Sequence, residues 1–279
     1  MKLKVSHTTS YTYPKPRRRV LQSHRLVPSA FEGQSVVDWT VEVEGAVIGA
    51  EFTDGAGDLT RTASIKGPVE KVLVRVEGMV ETRDLSGVLR GLRERVAPEA
   101  YLHSTRATRV DVALAELAES AKKAAGDGGT LAVAHALSDA VHRAIAYEIG
   151  ATEATTTAAE ALELGKGVCQ DHAHALIAAA VSADIPARYV AGYLLASGES
   201  PDDGEEVVAG EAGHGWAELY IEGLGWVGFD PSNACCPDDR YIRLCSGYDA
   251  NDGAPIRGLA MGSGEEELSV AVAVQAVQQ

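Results

Sequence analysis

Hydrophobic and polar residues alternate along roughly the first 85 residues of the chain. Residues that favour strands recur at every second position within three segments, Leu3–Tyr13, Val37–Val43 and Val72–Val76. Alternation with this period is typical of strands that bury one face. A turn-like run of Asp and Gly, Asp54–Asp58, separates two of the segments. The pattern therefore predicts a β-rich N-terminal region.

From Ser86 onward the spacing of apolar residues lengthens to that of helices. It predicts helices over Ser86–Val96, Val110–Ala125 and Leu131–Tyr147. A further short helix is predicted to begin at Thr157, where Thr-Ala-Ala-Glu matches the capping box, and to end at Gly165. The change of pattern divides the chain into a β-rich domain of residues 1–86 and a second domain of residues 87–279.

The second domain combines one more helix with several strands. The helix is predicted over Cys169–Ala183, and the strands over Pro186–Ala196, His214–Glu222, Gly225–Asp230 and Leu268–Val277. We expect the last strand to belong to this domain. The predicted fold class is α+β, with helices packed on an antiparallel sheet.

Composition excludes several classes of protein. Hydrophobic residues make up 46% of the chain and the net charge is −15, which is typical of a globular protein and argues against nucleic acid as a partner. No apolar run approaches the ~20 residues that span a bilayer, so no membrane partner is expected. The stretch Met1–Pro14 lacks the apolar segment of a signal peptide. With only four cysteines, the expected location is the cytoplasm.

Cys169 carries the strongest chemical signal. It follows Gly165 and Gly167 and opens a predicted helix. Glycines allow a sharp turn into the helix, and free N–H groups at the first helical turn favour a negatively charged thiolate. The same N–H groups can stabilise an oxyanion. Cys169 is therefore a candidate nucleophile.

His214 and Asp230 are the candidate partners of this thiol. They lie at the start and the end of two strands that a turn near Glu222–Gly225 would fold into a hairpin. The two side chains share a face only if paired residue numbers have an even sum. A plain four-residue turn gives a sum of 447, which is wrong, whereas a three-residue loop or a bulge between Gly223 and Gly225 corrects it.

These residues sit within a set of motifs that resembles the bacterial transglutaminase-like family. The motifs are Gly167–His174, Ile185–Tyr193, Gly213–Glu218 and Gly225–Asn233. The superfamily includes transglutaminases, thiol peptidases and peptide N-glycanases. The resemblance implies a papain-like core in which Cys169 is the nucleophile, His214 the base and Asp230 the residue that orients the base. The segments His7–Tyr13 and Arg25–Pro28 are similar to the β-domain that precedes this core in the family.

Three positions depart from the usual family pattern. Gly213 stands where Ser is common, Gly215 where Ala is common, and Ser232 where Thr is usual. These are small changes that leave the three candidate catalytic residues intact.

The expected function is thiol-dependent acyl chemistry, most simply the hydrolysis of a peptide or isopeptide bond in a peptide or protein substrate. Protein-glutamine transamidation is an alternative, and so is a non-catalytic protein-binding module on the same fold. Trp216 and Gln170 are candidate substrate-binding residues, although Trp216 could pack in the core and Gln170 could serve the helix N-terminus. No cofactor is expected. No metal is expected either, because no second ligand pair at zinc-finger spacing accompanies Cys169 and His172.

Two features leave alternatives open. The stretch from Tyr189 to Asp239 contains eleven acidic residues and no Lys or Arg. Its loop Ser197–Gly213 is either a solvated surface loop or a rim that attracts a basic or amine-bearing substrate. Three further cysteines could form a redox switch, but free thiols are the simpler interpretation: Cys235, Cys236 and Cys245.

Overall fold

The structure is a computed structural model that describes residues 1–195 and 213–277. The chain begins with an antiparallel sheet in which β4 pairs with β1, β2 and β3. Its first four strands are β1 (Lys2–His24), β2 (Gln34–Val43), β3 (Val47–Thr53) and β4 (Leu59–Thr82). The alternation in the sequence forms the buried face of this sheet, where Leu3 and Val5 of β1 join Val74 and Val80 of β4 in the core.

The C-terminal strands belong to the same sheet. Strands β11 (Ile256–Met261) and β12 (Glu267–Ala276) pair side by side with the two halves of β1, with Val5 opposite Val274. The predicted strand Leu268–Val277 thus forms, but its assignment to the second domain was wrong. Alternation identifies the buried face of a strand but not the strand with which it pairs.

The segment Ser86–Val96 is not a helix, contrary to expectation. Gly87 and Gly91 both have φ of 79°, a left-handed conformation that interrupts a helix. Instead, the segment follows the edge of the second sheet, where Leu89 N–H donates to the carbonyl of Trp226 and the N–H of Gly228 donates to Gly87.

The second layer consists of helices around a four-stranded antiparallel sheet. The α-helices are α1 (Val112–Ala125), α2 (Gly129–Ala144), α3 (Ala158–Leu164) and α4 (Cys169–Ser182), with a 3₁₀ turn at Pro98–Tyr101. The strands are β5 (Ala146–Tyr147), β6 (Lys166–Gly167), β7 (Ala187–Leu194), β8 (Gly213–Ile221), β9 (Gly225–Phe229) and β10 (Tyr241–Gly247). The four-stranded sheet has the order β10-β7-β8-β9, and β5 and β6 form a short parallel pair before α4.

Helix α4 is the centre of this layer. Every residue from 171 to 180 is buried, and half of them are alanines, which allow the helix to lie close to β8. Its apolar side chains join one core with Ala217, Leu219 and Ile221 of β8. The chain therefore has the predicted α+β fold. No helix among the described residues is long and apolar enough to cross a membrane.

Buried charges connect the two layers. Arg243 donates to Asp58 Oδ1 (2.8 Å) and to Glu218 Oε1 (2.8 Å), while Arg188 Nε donates to Glu218 Oε2 (2.6 Å). The four side chains are between 0 and 3% exposed. We call Asp58, Arg188, Glu218 and Arg243 the interior ion network. Since Asp58 precedes β4 and the others lie on the second sheet, the network joins the two layers.

Candidate active site

The loop before α4 positions Cys169 as the first residue of the helix. Gly165 ends α3 in the left-handed conformation with φ of 66°. Asp171 Oδ2 then accepts the N–H of Val168 (2.8 Å), which fixes the entry of the chain into α4. Gly167 leaves room for this contact, because a Cβ there would lie 2.7 Å from the Cβ of Asp171. The Cys169 thiol remains partly exposed.

The hairpin of β8 and β9 has the register that the candidate site requires. Ala217 pairs with Phe229 and Ile221 with Gly225, so paired residue numbers have the even sum of 446. The loop that achieves this has three residues, Glu222–Leu224, and is followed by Gly225, which has φ of 84°. The expected correction of the plain turn is thus confirmed. His214 and Asp230 share one face, and Nε2 of the imidazole lies 2.6 Å from Oδ2 of the carboxylate.

Asp230 is 1% exposed, and its carboxylate is surrounded by donors. Oδ2 also accepts from Asn233 Nδ2 (2.7 Å) and from the Tyr241 hydroxyl (2.9 Å), while Oδ1 accepts from the Ser232 hydroxyl (2.6 Å). Burial by itself would raise the pKa of Asp230, but the hydrogen bond and charge of His214, with the bonds from Ser232 and Asn233, hold it well below its usual range. The carboxylate therefore stays ionised.

The imidazole of His214 lies between the carboxylate and the thiol. Burial by itself would lower the pKa of His214, but hydrogen bonds to Asp230 and Cys169, with the negative charges of both, raise it to about 10. Because Nε2 is bonded to Asp230, Nδ1 is the nitrogen left for the thiol. An imidazolium in this position can stabilise a thiolate at neutral pH and can deliver a proton to a leaving group.

Two aromatic rings hold this imidazole in place. The Trp216 ring is stacked beside it with centroids 6.3 Å apart, and Tyr241 meets it edge-on at 5.9 Å. Trp216 is only 2% exposed and packs with Val190 in a small core cluster. This burial favours the alternative that Trp216 packs in the core, and binding of substrate by Trp216 stays a prediction. Its ring packs against the neighbouring strand β7, where it lies close to Gly192.

Gln170, the other candidate substrate-binding residue, lies next to Cys169 in the first turn of α4. Its side-chain amide donates to the carbonyl of Ala154 (3.1 Å) and so ties the helix to the loop before α3. Asp171 ties the helix to the same loop, since its Oδ2 accepts the Thr152 hydroxyl (2.6 Å). Both residues thus anchor the helix N-terminus, and binding of substrate by Gln170 stays a prediction.

His172 and His174 are engaged with the backbone. The two ring nitrogens of His172 each lie 2.9 Å from a carbonyl oxygen, of Val168 and of Ile145. His174 Nε2 accepts the N–H of Ala250 (3.0 Å). Among the residues that the structure describes, no group of three or more His, Cys, Asp or Glu side chains could hold a metal ion.

The other three cysteines are free thiols, as expected. Burial raises the pKa of Cys236 to about 11 and that of Cys245 to about 12, while burial also raises the pKa of Cys235. These thiols are therefore protonated at neutral pH. Cys169 differs from them in its position, because it lies beside the imidazole of His214.

One residue of the site escaped the sequence analysis, and one predicted segment lies outside the described residues. Tyr241 was missed because β10 itself was not predicted, although Tyr241, Arg243 and Cys245 alternate with Ile242 and Leu244. The acidic loop, by contrast, was predicted, but residues 196–212 lie outside the described part of the chain. Its role as a rim around the site stays a prediction.

The fold and the site together define a papain-like cysteine enzyme scaffold: a buried helix that begins with Cys, packed on an antiparallel sheet that carries His and Asp. Comparison with known proteins agrees with this class. The transglutaminase-like superfamily matches residues 117–231, and the bacterial transglutaminase-like N-terminal region matches residues 3–81. The chain belongs to this bacterial transglutaminase-like family.

Two of the similar proteins match this chain over nearly its whole length, and a third matches about half of it. The uncharacterized protein ML0607 of Mycobacterium leprae is 28% identical over 98% of both chains. The uncharacterized protein Rv2569c of Mycobacterium tuberculosis is 31% identical over 47% of this chain and 43% of its own length. The crystal structure of a candidate cysteine protease from Cytophaga hutchinsonii covers 100% of this chain and 91% of its own, with a TM-score of 0.72 at 22% identity. This last similarity shows the fold alone.

Proposed function

We propose that this protein is a thiol-dependent hydrolase of peptide or isopeptide bonds, with Cys169, His214 and Asp230 as its catalytic triad. The observation that carries the proposal is the imidazole of His214, which lies 2.6 Å from the buried carboxylate of Asp230 and whose pKa is raised by that carboxylate and by Cys169. A protonated imidazole beside a thiol at a helix N-terminus is the arrangement that activates a cysteine nucleophile.

The reaction follows from these positions. The Cys169 thiolate attacks the amide carbon and forms a C–S bond, while the carbonyl electrons move to oxygen. The tetrahedral intermediate collapses, the C–N bond breaks, and His214 gives its proton to the departing amine. Neutral His214 then removes a proton from water, which attacks the thioester and releases a carboxylic acid and the thiolate. Asp230 orients the imidazole and stabilises its charge in both steps.

Transamidation would follow the same path with an amine in place of water. The acidic segment between Tyr189 and Asp239, which has no Lys or Arg, supports a basic or amine-bearing peptide as substrate because it would attract such molecules. The free thiols support a reducing compartment, and we place the protein in the cytoplasm.

The test begins with alkylation of each cysteine by iodoacetamide from pH 5 to 9, followed by mass spectrometry, in the wild type and in His214→Ala. We expect Cys169 to react fastest at low pH and to lose this advantage in the variant. A peptide library is then incubated with the protein in the presence of a labelled primary amine, with Cys169→Ala as the control. Cleaved peptides indicate hydrolysis, and labelled peptides indicate transamidation. If Cys169 reacts like an ordinary thiol and neither product forms, the chain is a binding module.

A further inference from the structure

Tyr189 is a buried tyrosine whose hydroxyl lies beside the catalytic histidine. It is on β7, opposite Ala217 of β8. Its ring leans along β8 so that the hydroxyl rests against the backbone of Gly215, the residue after His214. A Cβ on Gly215 would overlap the hydroxyl oxygen and would lie 2.7 Å from Cζ of the ring. The missing side chain at residue 215 therefore creates the space that this hydroxyl occupies.

The ring of Tyr189 is fixed on both sides. The imidazole of His174, on α4, lies 5.5 Å from it at an interplanar angle of 51°. Gly253 approaches its Cδ1 so closely that a Cβ there would lie 2.8 Å away. Only 7% of the residue is exposed. The hydroxyl is thus held in one place rather than sampling several rotamers.

This hydroxyl is a donor without an acceptor. Within the described residues it forms no hydrogen bond, whereas the hydroxyls of Tyr193 and Tyr241 both do. Burial raises the pKa of Tyr189 well above 10, and the charge at Cys169 raises it further, so the phenol keeps its proton. The hydroxyl oxygen is not among the fully buried polar atoms of the described residues that lack a partner, so it keeps access from the solvent and a bound acceptor can reach it. The neighbouring chemistry indicates that the acceptor belongs to the substrate.

We propose that the Tyr189 hydroxyl donates a hydrogen bond to the substrate carbonyl oxygen as that oxygen becomes the oxyanion of the tetrahedral intermediate, alongside the backbone N–H of Cys169. The inference rests on the proposed function and adds a catalytic residue to it. Tyr189 transfers no proton in this step. The N–H of Cys169 is available because the first N–H groups of a helix have no partner within the helix.

Two reagents separate this role from activation of the thiol. p-Nitrophenyl acetate acylates a thiolate through a tetrahedral oxyanion, whereas iodoacetamide alkylates it by displacement, without one. In Tyr189→Phe, we expect acylation of Cys169 to be slower by about 10²-fold, the usual effect of removing one oxyanion donor, while its alkylation rate is unchanged. Mass spectrometry assigns both products to Cys169.

Two further variants make the test specific. Tyr193→Phe removes another buried hydroxyl of the same strand, one that contacts His7 Nδ1 at 2.7 Å, and both rates should stay at the wild-type value. Gly215→Ala displaces the Tyr189 hydroxyl without removing it and should also slow acylation alone.

Each outcome decides the matter. An unchanged acylation rate in Tyr189→Phe overturns the proposal, and so does an equal fall in acylation and alkylation, which would show that Tyr189 acts on the thiolate. The alkylation rate and the thermal unfolding curve report whether the variant folds, and Gly215→Ala provides the answer if it does not. If wild-type Cys169 is alkylated rapidly but never acylated, the proposed function fails first, and the role of Tyr189 with it.

Discussion

Strand β8 contributes to two buried clusters in which a carboxylate is paired with a cation, but the two clusters have different roles. Near its middle, Glu218 lies in the interior ion network between Arg188 and Arg243. Four residues earlier, on the same face, His214 pairs with Asp230. Both carboxylates are almost fully buried and both are bonded to a cation. The difference lies in the cation, since arginine keeps its proton under all ordinary conditions and histidine can give it up.

The two clusters also differ in whether the cation has a further neighbour besides its carboxylates. Burial by itself would raise the pKa of Glu218, but the two arginines lower it, so the carboxylate stays charged inside the protein. Such a network holds the first sheet on the second and offers no group for a reaction. At the other end of the strand, His214 faces a partly exposed thiol, and its proton can move. A buried ion pair can thus exchange a proton with a neighbouring group when one member is titratable and its other side is open.

The strongest way to test this comparison is to remove the imidazole. We expect His214→Ala to slow acylation of Cys169 by p-nitrophenyl acetate by about 10³-fold or more, since the proposed triad acts as a unit. Because the variant also leaves the buried Asp230 carboxylate without its cation, the free energy of unfolding should fall as well. His103→Ala removes another exposed histidine, whose ring contacts Tyr248 rather than a residue of the proposed triad, and serves as the control. If both variants acylate at the same rate, His214 is not the partner of the thiol.

The second substitution removes a charge from the interior ion network, where we expect an effect on stability. Glu218→Gln leaves two buried arginines without their shared carboxylate, so we expect the free energy of unfolding to fall by about 3–5 kcal/mol in guanidinium titrations. Glu51→Gln breaks an ion pair with Arg61 on the surface and should cost less than about 1 kcal/mol. Equal losses in the two variants would contradict the distinction between the network and a surface pair.

The third prediction concerns the proton of His214. Its pKa is raised to about 10, so the stabilisation from its charge is complete below pH 6.5 and is lost as the pH rises through about 10. Because Asp230 supplies a hydrogen bond and a charge for this shift, Asp230→Asn should move the His214 titration midpoint to lower pH. Histidine resonances in NMR measure it, with the His214→Ala spectrum as the assignment.

The control for this titration is Asp238→Asn, which removes a partly exposed carboxylate paired with Arg240. Its His214 midpoint should stay at the wild-type value. A midpoint that stays near 10 in Asp230→Asn would show that the raised pKa has another source.

The sequence was sufficient for the part of the fold that depends on local order along the chain. The capping box at Thr157 is confirmed, with its hydroxyl accepting from the N–H of Glu160 (3.3 Å). The hairpin was predictable because its loop is short, so that parity and Gly225 restrict the register to few choices. For His214 and Asp230, the same parity argument excluded the plain four-residue turn and left a three-residue loop or a bulge, of which the structure has the loop.

The remaining features depend on contacts between distant segments. Strand β12 alternates clearly, but nothing in its own residues indicates that β1 is its partner. The interior ion network joins Asp58 to Arg243, 185 residues apart, and a lone Asp in a turn gives no sign of a buried partner. Trp216 was ambiguous for a similar reason, because its burial is decided by Val190 and Tyr241 across the sheet.

The smallest expected effect distinguishes the donors around Asp230. The Ser232 hydroxyl donates to Oδ1 at 2.6 Å, and the N–H of the same residue donates at 3.0 Å. Ser232→Ala removes only the first bond, which should be worth about 0.5–1.5 kcal/mol. We therefore expect acylation of Cys169 to be several-fold slower and the titration midpoint of His214 to shift slightly. Ser232→Thr keeps the hydroxyl and should restore both values. If Thr is as slow as Ala, the hydroxyl does not contribute, and the backbone turn alone orients the carboxylate.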